Sequence, residues 1–400
     1  MERRLHPPPP AATCFPQRVG IGYANPYTAS YANGRECRIM KKVLLVVIDA
    51  LSTRHVQDAF RDGRLPNLKR LSELGEMHEQ CTSIFPSITP AATASIITGV
   101  YPCDHGILGA FFCNTEEDHV YFFGDDIWVV LRKGSKEFFN EFLISLNQEL
   151  LSAETLFEKV EKAGKRAASL NYLIYRGGKQ HTVNVPWLLR LMPGIPWKEE
   201  VPGPDLLCLG DFVTGKPRSD DEPLSAPGGP FHRFGFEDDS TGALLLEMEQ
   251  ENAWRDLTVA YFPDNDFVSH EEGPATAVST LENVDRHLGN LFEEAGGVEK
   301  FLQHTAILIT GDHSQINMVS DDEAQSIDLD ELLEPFSPVP PGDEWTSDDQ
   351  LMVCPNMRAC QIYLRRNRWN DLDAILDRLR SERRIDHVIW RDDLDPHQTR

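Results

Sequence analysis

The run Val43-Leu44-Leu45-Val46-Val47-Ile48 is apolar at every position and stops at Asp49. An unbroken apolar run of strand length is buried on both faces, as in a parallel sheet covered by helices on each side. The pattern returns in VAYFPDNDFVSH, which carries Asp266 and His270, and in AILITGDH, which carries Asp312 and His313. A fourth stretch, FPSITPAATASIITG, carries Thr89. In an α/β protein the C-terminal strand ends line one edge of the sheet, where ligands bind. Four such stretches are therefore expected to converge on one place. Their mix of carboxylate and imidazole suits a pair of divalent metal ions, zinc foremost.

Length and charge set the outer bounds. A chain of 400 residues can bury a large core as one big domain or two smaller ones. The formal net charge of −24 opposes binding to a nucleic-acid polymer, which needs Lys and Arg to displace counterions. It also disfavours anionic membrane surfaces. Bound metal ions would give an acidic protein the local positive charge needed to handle phosphate. No apolar run approaches the length of about 20 residues that a membrane helix requires. The cysteines at 14, 37, 81, 103, 113, 208, 354 and 360 form no CxxC pair. Reduced thiols in a cytoplasmic protein are the expectation.

Residues 1–39 contain Pro7-Pro8-Pro9-Pro10 and show no apolar period. They read as a disordered extension, with a transit peptide as a second reading and a natural start at Met40, just before the first strand, as the favoured third. Residues 40–400 read as the catalytic domain. Strands are expected at 43–49, 165–175, 256–264, 305–311, 359–364 and 386–390. Helices are expected over LPNLKRLSELG, from Thr89-Pro90 to Gly99, over 275–295 and over 370–382. Thr89 is placed as N-cap with Pro90 at the first helical position. Residues 110–240 hold much of the Pro and Gly and read as an irregular cap insertion. Residues 351–400 read as strand, helix, strand. The fold class expected is a three-layer α/β/α sandwich around a mainly parallel sheet.

A threonine hydroxyl is hardly ionised at neutral pH, and a bound metal lowers its pKa. A helix N-terminus adds a dipole that favours an alkoxide and a neighbouring phosphate. Asp49 ends an apolar strand that would not bury a lone carboxylate without compensation. Asp264 rivals Asp266 as a ligand, and the four-residue spacing to His270 decides for Asp266.

Together, FPSITPAATASIITGVYPCDHGILG, YFPDNDFVSHEEGP and ILITGDH resemble the type I phosphodiesterase/nucleotide pyrophosphatase branch of the alkaline phosphatase superfamily, from about residue 42 to about 315. The resemblance implies a two-zinc site. Asp49, Thr89, Asp312 and His313 would hold one ion, and Asp266 and His270 would belong to the other. Thr89 would attack phosphorus and form a phospho-threonine intermediate. The substrate would be a small phosphodiester or pyrophosphate, a nucleotide among the candidates. His105 matches a family position read as structural.

The chain departs from the family pattern in two places. The Phe-Pro-Asn that usually follows the nucleophile is replaced by Pro90-Ala91-Ala92, which leaves the oxyanion contact unassigned. Asn171 and Arg176 are weak candidates for that contact. The family also has a later metal-binding His in a His-Gly setting, whereas only His387 and His397 follow His313, neither before Gly. A truncated C-terminal part and an incomplete position near Asp266 and His270 are therefore expected.

Sulfatases of this superfamily need a Cys-x-Pro-x-Arg type motif that is absent here, and cofactor-independent phosphoglycerate mutases use Ser in the nucleophile slot. A phosphonate or phosphomonoester hydrolase, or an inactive phosphate-binding homologue, remains as the alternative. Phe111, Phe112, Tyr121 and Trp128 in the cap are candidates to stack on a base, with core packing as the plainer role.

Overall fold

The computed structural model describes residues 41–390, apart from 116, 125–139, 189, 191–197, 219, 321–325, 340–342, 344 and 347–350. The expected disorder of residues 1–39, and the calls on Trp128 and His397, lie outside the described residues.

Twelve strands occur among these residues. They are β1 (Lys42–Ile48), β2 (Phe111–Asn114), β3 (His119–Phe122), β4 (Ala167–Leu170), β5 (Lys179–Asn184), β6 (Lys198–Gly203), β7 (Leu206–Cys208), β8 (Leu257–Phe262), β9 (Thr305–Thr310), β10 (Pro338–Val339), β11 (Leu351–Asn356) and β12 (Ala359–Leu364). The central sheet runs β7-β4-β8-β1-β9, and every pair in it is parallel.

Strand alternation divides the core into two layers. Leu44, Val46 and Ile48 face one side, against helices Thr53–Arg61, Pro66–Leu74, Asp238–Gln250 and Val278–Glu294. Leu45 and Val47 face the other, against Ala94 and Ile97 of helix Thr89–Thr98 and Phe157 of helix Leu156–Lys162. Helices on both faces explain why β1 reads as a continuous apolar run. This is the expected sandwich.

Several local expectations are corrected. The strand expected over 165–175 stops at Leu170, because Asn171 takes a left-handed backbone (φ 58°) that ends the extended run. The strand expected over 386–390 does not form. Ile385 and Val388 pack into the same cluster around helix Leu372–Ser381, and residues three apart on a strand point to opposite faces. The 110–240 range is not one continuous cap. It contains the hairpins β2-β3 and β5-β6 and a π-helix at Glu141–Glu149, but β4 and β7 join the central sheet. Phe111, Phe112 and Tyr121 are core residues, at most 5% exposed, and offer no free ring face.

Candidate active site

β1 lies between β8 and β9, with Ile48 level with Phe262 and Val47 level with Thr310. The segments that follow these three strands therefore emerge side by side. Asp49 follows β1 directly, helix Asp264–Glu272 follows β8, and Asp312-His313 follows β9.

Thr89 is brought in from the side. Ile88 is the N-cap, with an extended backbone, so Thr89 is the first helical residue and Pro90 the second. This corrects the expected cap by one position. The Thr89 hydroxyl lies 3.0 Å from His313 Nε2. The buried Ala91, Ala92 and Ala94 carry little side-chain bulk where this helix packs, and Gly99 closes it in a left-handed turn (φ 77°).

The ligand-type atoms of Asp49, Asp312 and His313 lie within 4.8 Å of one another. His313 Nε2 is 3.4 Å from Asp49 Oδ1, 3.8 Å from Asp312 Oδ2 and 3.9 Å from Asp266 Oδ1. Asp49 and Asp312 are 4% and 5% exposed. In each, one oxygen is held by the protein. Tyr261 OH donates to Asp49 Oδ2, while the Ala50 and His313 N–H groups donate to Asp312 Oδ1 at 3.2 and 2.8 Å. The other oxygens, Asp49 Oδ1 and Asp312 Oδ2, are buried and accept no hydrogen bond. Burial, with Asp312 and Asp266 close by, pushes the Asp49 carboxyl well above its ordinary range, and burial raises Asp312 too. Two bare, buried, mutually repelling carboxylate oxygens are costly unless a cation meets them. The donor set therefore fits a divalent ion held by Asp49, Asp312 and His313 with Thr89 alongside.

Asp266 is in a different state. Gln315 Nε2 donates to its Oδ1, and His270 Nε2 stands 3.4 Å from its Oδ2. Burial alone would raise its pKa, but His270, His313 and Gln315 outweigh that and hold it below the ordinary range. The His270 side chain is 44% exposed. Among the described residues Asp266 and His270 stand side by side but do not join the group formed by Asp49, Asp312 and His313. Asp264, the sequence rival, pairs with Arg233 and accepts from the Asp238 N–H at 3.1 Å.

The remaining candidates are structural. Asn171 Nδ2 donates to Gly235 O and Thr241 Oγ1, and its Oδ1 accepts from the Gly210 N–H. Arg176 binds the Leu151 and Ala153 carbonyls and Glu158. His105 is fully buried. Its Nδ1 accepts from the Ile107 N–H at 3.1 Å and its Nε2 meets Ser95 Oγ at 2.9 Å, fastening its loop to the Thr89 helix. Burial lowers its pKa to about 4. His387 follows the helix Leu372–Ser381 in irregular chain.

Sequence reasoning missed three features. Tyr261, within β8, reads as ordinary core. Gln315 sits two residues past His313, and its polarity in a strand-end loop was its one signal. Phe85, Phe267, Ile316 and Met318, next in sequence to the site residues, are 42–78% exposed. Arg233 covers one face of Phe267 at 4.6 Å.

Carboxylates and imidazoles gathered at the C-terminal ends of parallel strands, with one hydroxyl from a neighbouring helix, form a candidate metal centre on an alkaline phosphatase-like fold. The sequence matches the type I phosphodiesterase/nucleotide pyrophosphatase family over residues 43–389, and the chain belongs to that family. Among solved structures it is similar to phosphonoacetate hydrolase from Sinorhizobium meliloti 1021 in complex with phosphonoformate. That match has 19% identity, 91% of this chain and 79% of that one covered, and a TM-score of 0.54. It is also similar to murine ectonucleotide pyrophosphatase/phosphodiesterase 5, with 14% identity, 85% and 69% covered, and a TM-score of 0.52. An inactive form of that murine protein in complex with AMP matches at 15% identity, 85% and 69% covered, with a TM-score of 0.51. No curated protein matches the chain. No helix among the described residues is long and apolar enough to cross a membrane.

Proposed function

We propose that this chain hydrolyses a phosphodiester or pyrophosphate bond of a small molecule, with Thr89 as the nucleophile. The observation that carries the reading is the Thr89 hydroxyl 3.0 Å from His313 Nε2, which in turn stands 3.4 and 3.8 Å from the bare oxygens of Asp49 and Asp312. Asp49, Asp312, His313 and Thr89 would hold one divalent cation, zinc by the chemistry of the donors, and Asp266 and His270 would contribute to a second. Such cations lower the pKa of a hydroxyl and neutralise phosphoryl oxygens.

The chain's own residues supply the rest. Helix Thr89–Thr98 directs its positive end at the attacked phosphoryl group. Thr89 Oγ1 forms a bond to phosphorus as the bond to the leaving oxygen breaks, giving a phospho-threonine that water then hydrolyses. Pro90 has no N–H, so the first-turn N–H groups of Thr89 and Ala91 are the helical donors for a phosphoryl oxygen in place of the missing Asn. The exposed Phe85 and Phe267 offer an apolar rim for a leaving group, the role the cap aromatics do not fill.

Thr89→Ala in metal-loaded protein is expected to lower turnover of an aryl phosphodiester by at least about a thousand-fold while metal content stays within one equivalent of wild type. Unchanged turnover would remove Thr89 from the reaction. A second reading is hydrolysis of a phosphonate or a monoester, favoured by Pro90-Ala91-Ala92 standing where diesterases carry Phe-Pro-Asn. Screening diesters, monoesters and phosphonates on the same preparation separates the two.

A further inference from the structure

The strands that carry the candidate site at their C-terminal ends begin in a second cleft at the opposite edge of the sheet. Lys42 opens β1, Arg166 immediately precedes β4 and Asp256 immediately precedes β8; with Arg218, Arg255 and Glu251 they line a cavity of about 300 Å³. A strand of six or seven residues separates the two edges by about 20 Å.

Two of the charged groups in this cleft are already committed. Arg255 is 4% exposed and donates to Asp205 Oδ2, Ala253 O and Pro217 O, which fixes the backbone on two sides of the cavity. Asp256 accepts from the Arg166 N–H at 2.9 Å and from Lys165 Nζ at 3.4 Å. Three cationic side chains remain. Among the described residues Lys42, Arg166 and Arg218 have no ion pair within 4.0 Å and no side-chain hydrogen bond, although the Arg166 charge helps lower the Asp256 carboxyl through space, and Glu251 is the one uncommitted carboxylate beside them. Three like charges around one small cavity repel one another, and a chain of net charge −24 has carboxylates to spare for pairing them. Two guanidinium groups offer planar forks that match phosphate oxygens.

We propose that this cleft is an anion site for a compact oligophosphate, of the size and charge of pyrophosphate or the phosphate tail of a nucleotide. With Glu251 offsetting one of the three cations, a monoanion would leave half of the net surplus unmet. The volume, at the small end of ligand cavities, suits a few phosphoryl groups. Recognition rests on Lys42, Arg166 and Arg218 and needs no metal ion, so it is separable from the chemistry at Thr89.

The test is calorimetric titration of inorganic pyrophosphate into metal-stripped full-length protein at low salt, in three forms: wild type, Thr89→Ala, and the double variant Arg166→Ala/Arg218→Ala. The expected result is one bound pyrophosphate per chain in wild type and in Thr89→Ala, weakened at least about tenfold by the double substitution and by added salt. Both arginines are exposed, and a thermal melt matching wild type confirms the fold of the double variant. The charge reversal Arg166→Glu serves if it does not. Absence of binding in metal-stripped wild type would overturn the proposal. So would binding unchanged in the double variant, or binding lost in Thr89→Ala, which would put the anion at the other edge. None of these outcomes touches the hydrolase reading, which is scored on metal-loaded protein.

Discussion

The two halves of the candidate metal centre are built on opposite principles. Asp49 and Asp312 are buried, repel each other, and keep one oxygen each without a donor. Asp266 has both oxygens engaged, by Gln315 and by His270, and its imidazole partner reaches solvent. The first half stores an electrostatic cost that a cation removes. The second half has met much of that cost with its own hydrogen bonds. Affinity for an ion depends as much on what the ligands do without it as on their number.

The largest expected effect of this contrast is in metal titration. One equivalent of zinc should bind tightly, and a second about 100-fold more weakly, read by calorimetry with elemental analysis. Two equally tight ions would break the comparison and point to a further ligand outside the described residues. Next comes Tyr261→Phe. Removing the hydroxyl that holds Asp49 Oδ2 should weaken the first ion about tenfold and leave the second within a factor of about two. Gln315→Ala frees Asp266 Oδ1 and should strengthen the second ion by a few-fold. A loss of affinity there would instead make Gln315 a ligand through its amide oxygen.

The smallest signal is in the pH dependence of stability. Folded-state pKa values of Asp49 and Asp312 are raised, so their protonated forms favour the fold. That contribution is present below the unfolded carboxylate pKa and is lost as pH rises through the raised values. Metal-free protein should therefore lose about 2–4 °C in Tm as pH climbs above the ordinary carboxylate range, and saturating zinc should flatten the slope to the part that Asp238 and Asp285, whose carboxyls are also raised by burial, still contribute. His105 has the opposite dependence. Its folded pKa is lowered to about 4, so its contribution is lost as pH falls from about 6.5.

What the sequence revealed, and what it hid, follows from the range of the interactions. β1, β8 and β9 announce themselves because burial on both faces removes every polar residue from the run. The polar residues just after those runs fall at the edge where the strands end, so Asp49, Asp312 and His313 were readable as a group, and Asp266 with them once its spacing to His270 set it apart from Asp264. Asn171 was readable as polar but not as a strand breaker. The Tyr261–Asp49 bond joins residues 212 apart, and no local pattern marks a tyrosine whose hydroxyl reaches a distant carboxylate. The cap misled for a related reason: β4 was readable as a strand but not as a member of the central sheet, β7 is three residues long, too short for a period, and their places in the sheet come from pairing with β8 and with each other. Cap aromatics look alike in sequence whether they fill a core or face a ligand.

Thr89 and His313 meet across 224 residues of chain, and Ala50 and Asp312 across 262. A cation gripped by these segments would act as a rivet through the whole domain. Drawing it out with a chelator would do more than silence the chemistry: the β1–β9 ladder would remain, but the segments beyond it, which carry Asp49, Asp312 and His313, would lose what ties them to the Thr89 helix. Long loops are slow to close and have little to gain until those segments meet. Metal uptake would then mark the last stage of folding, and resistance of the β9 segment to protease would track cation occupancy.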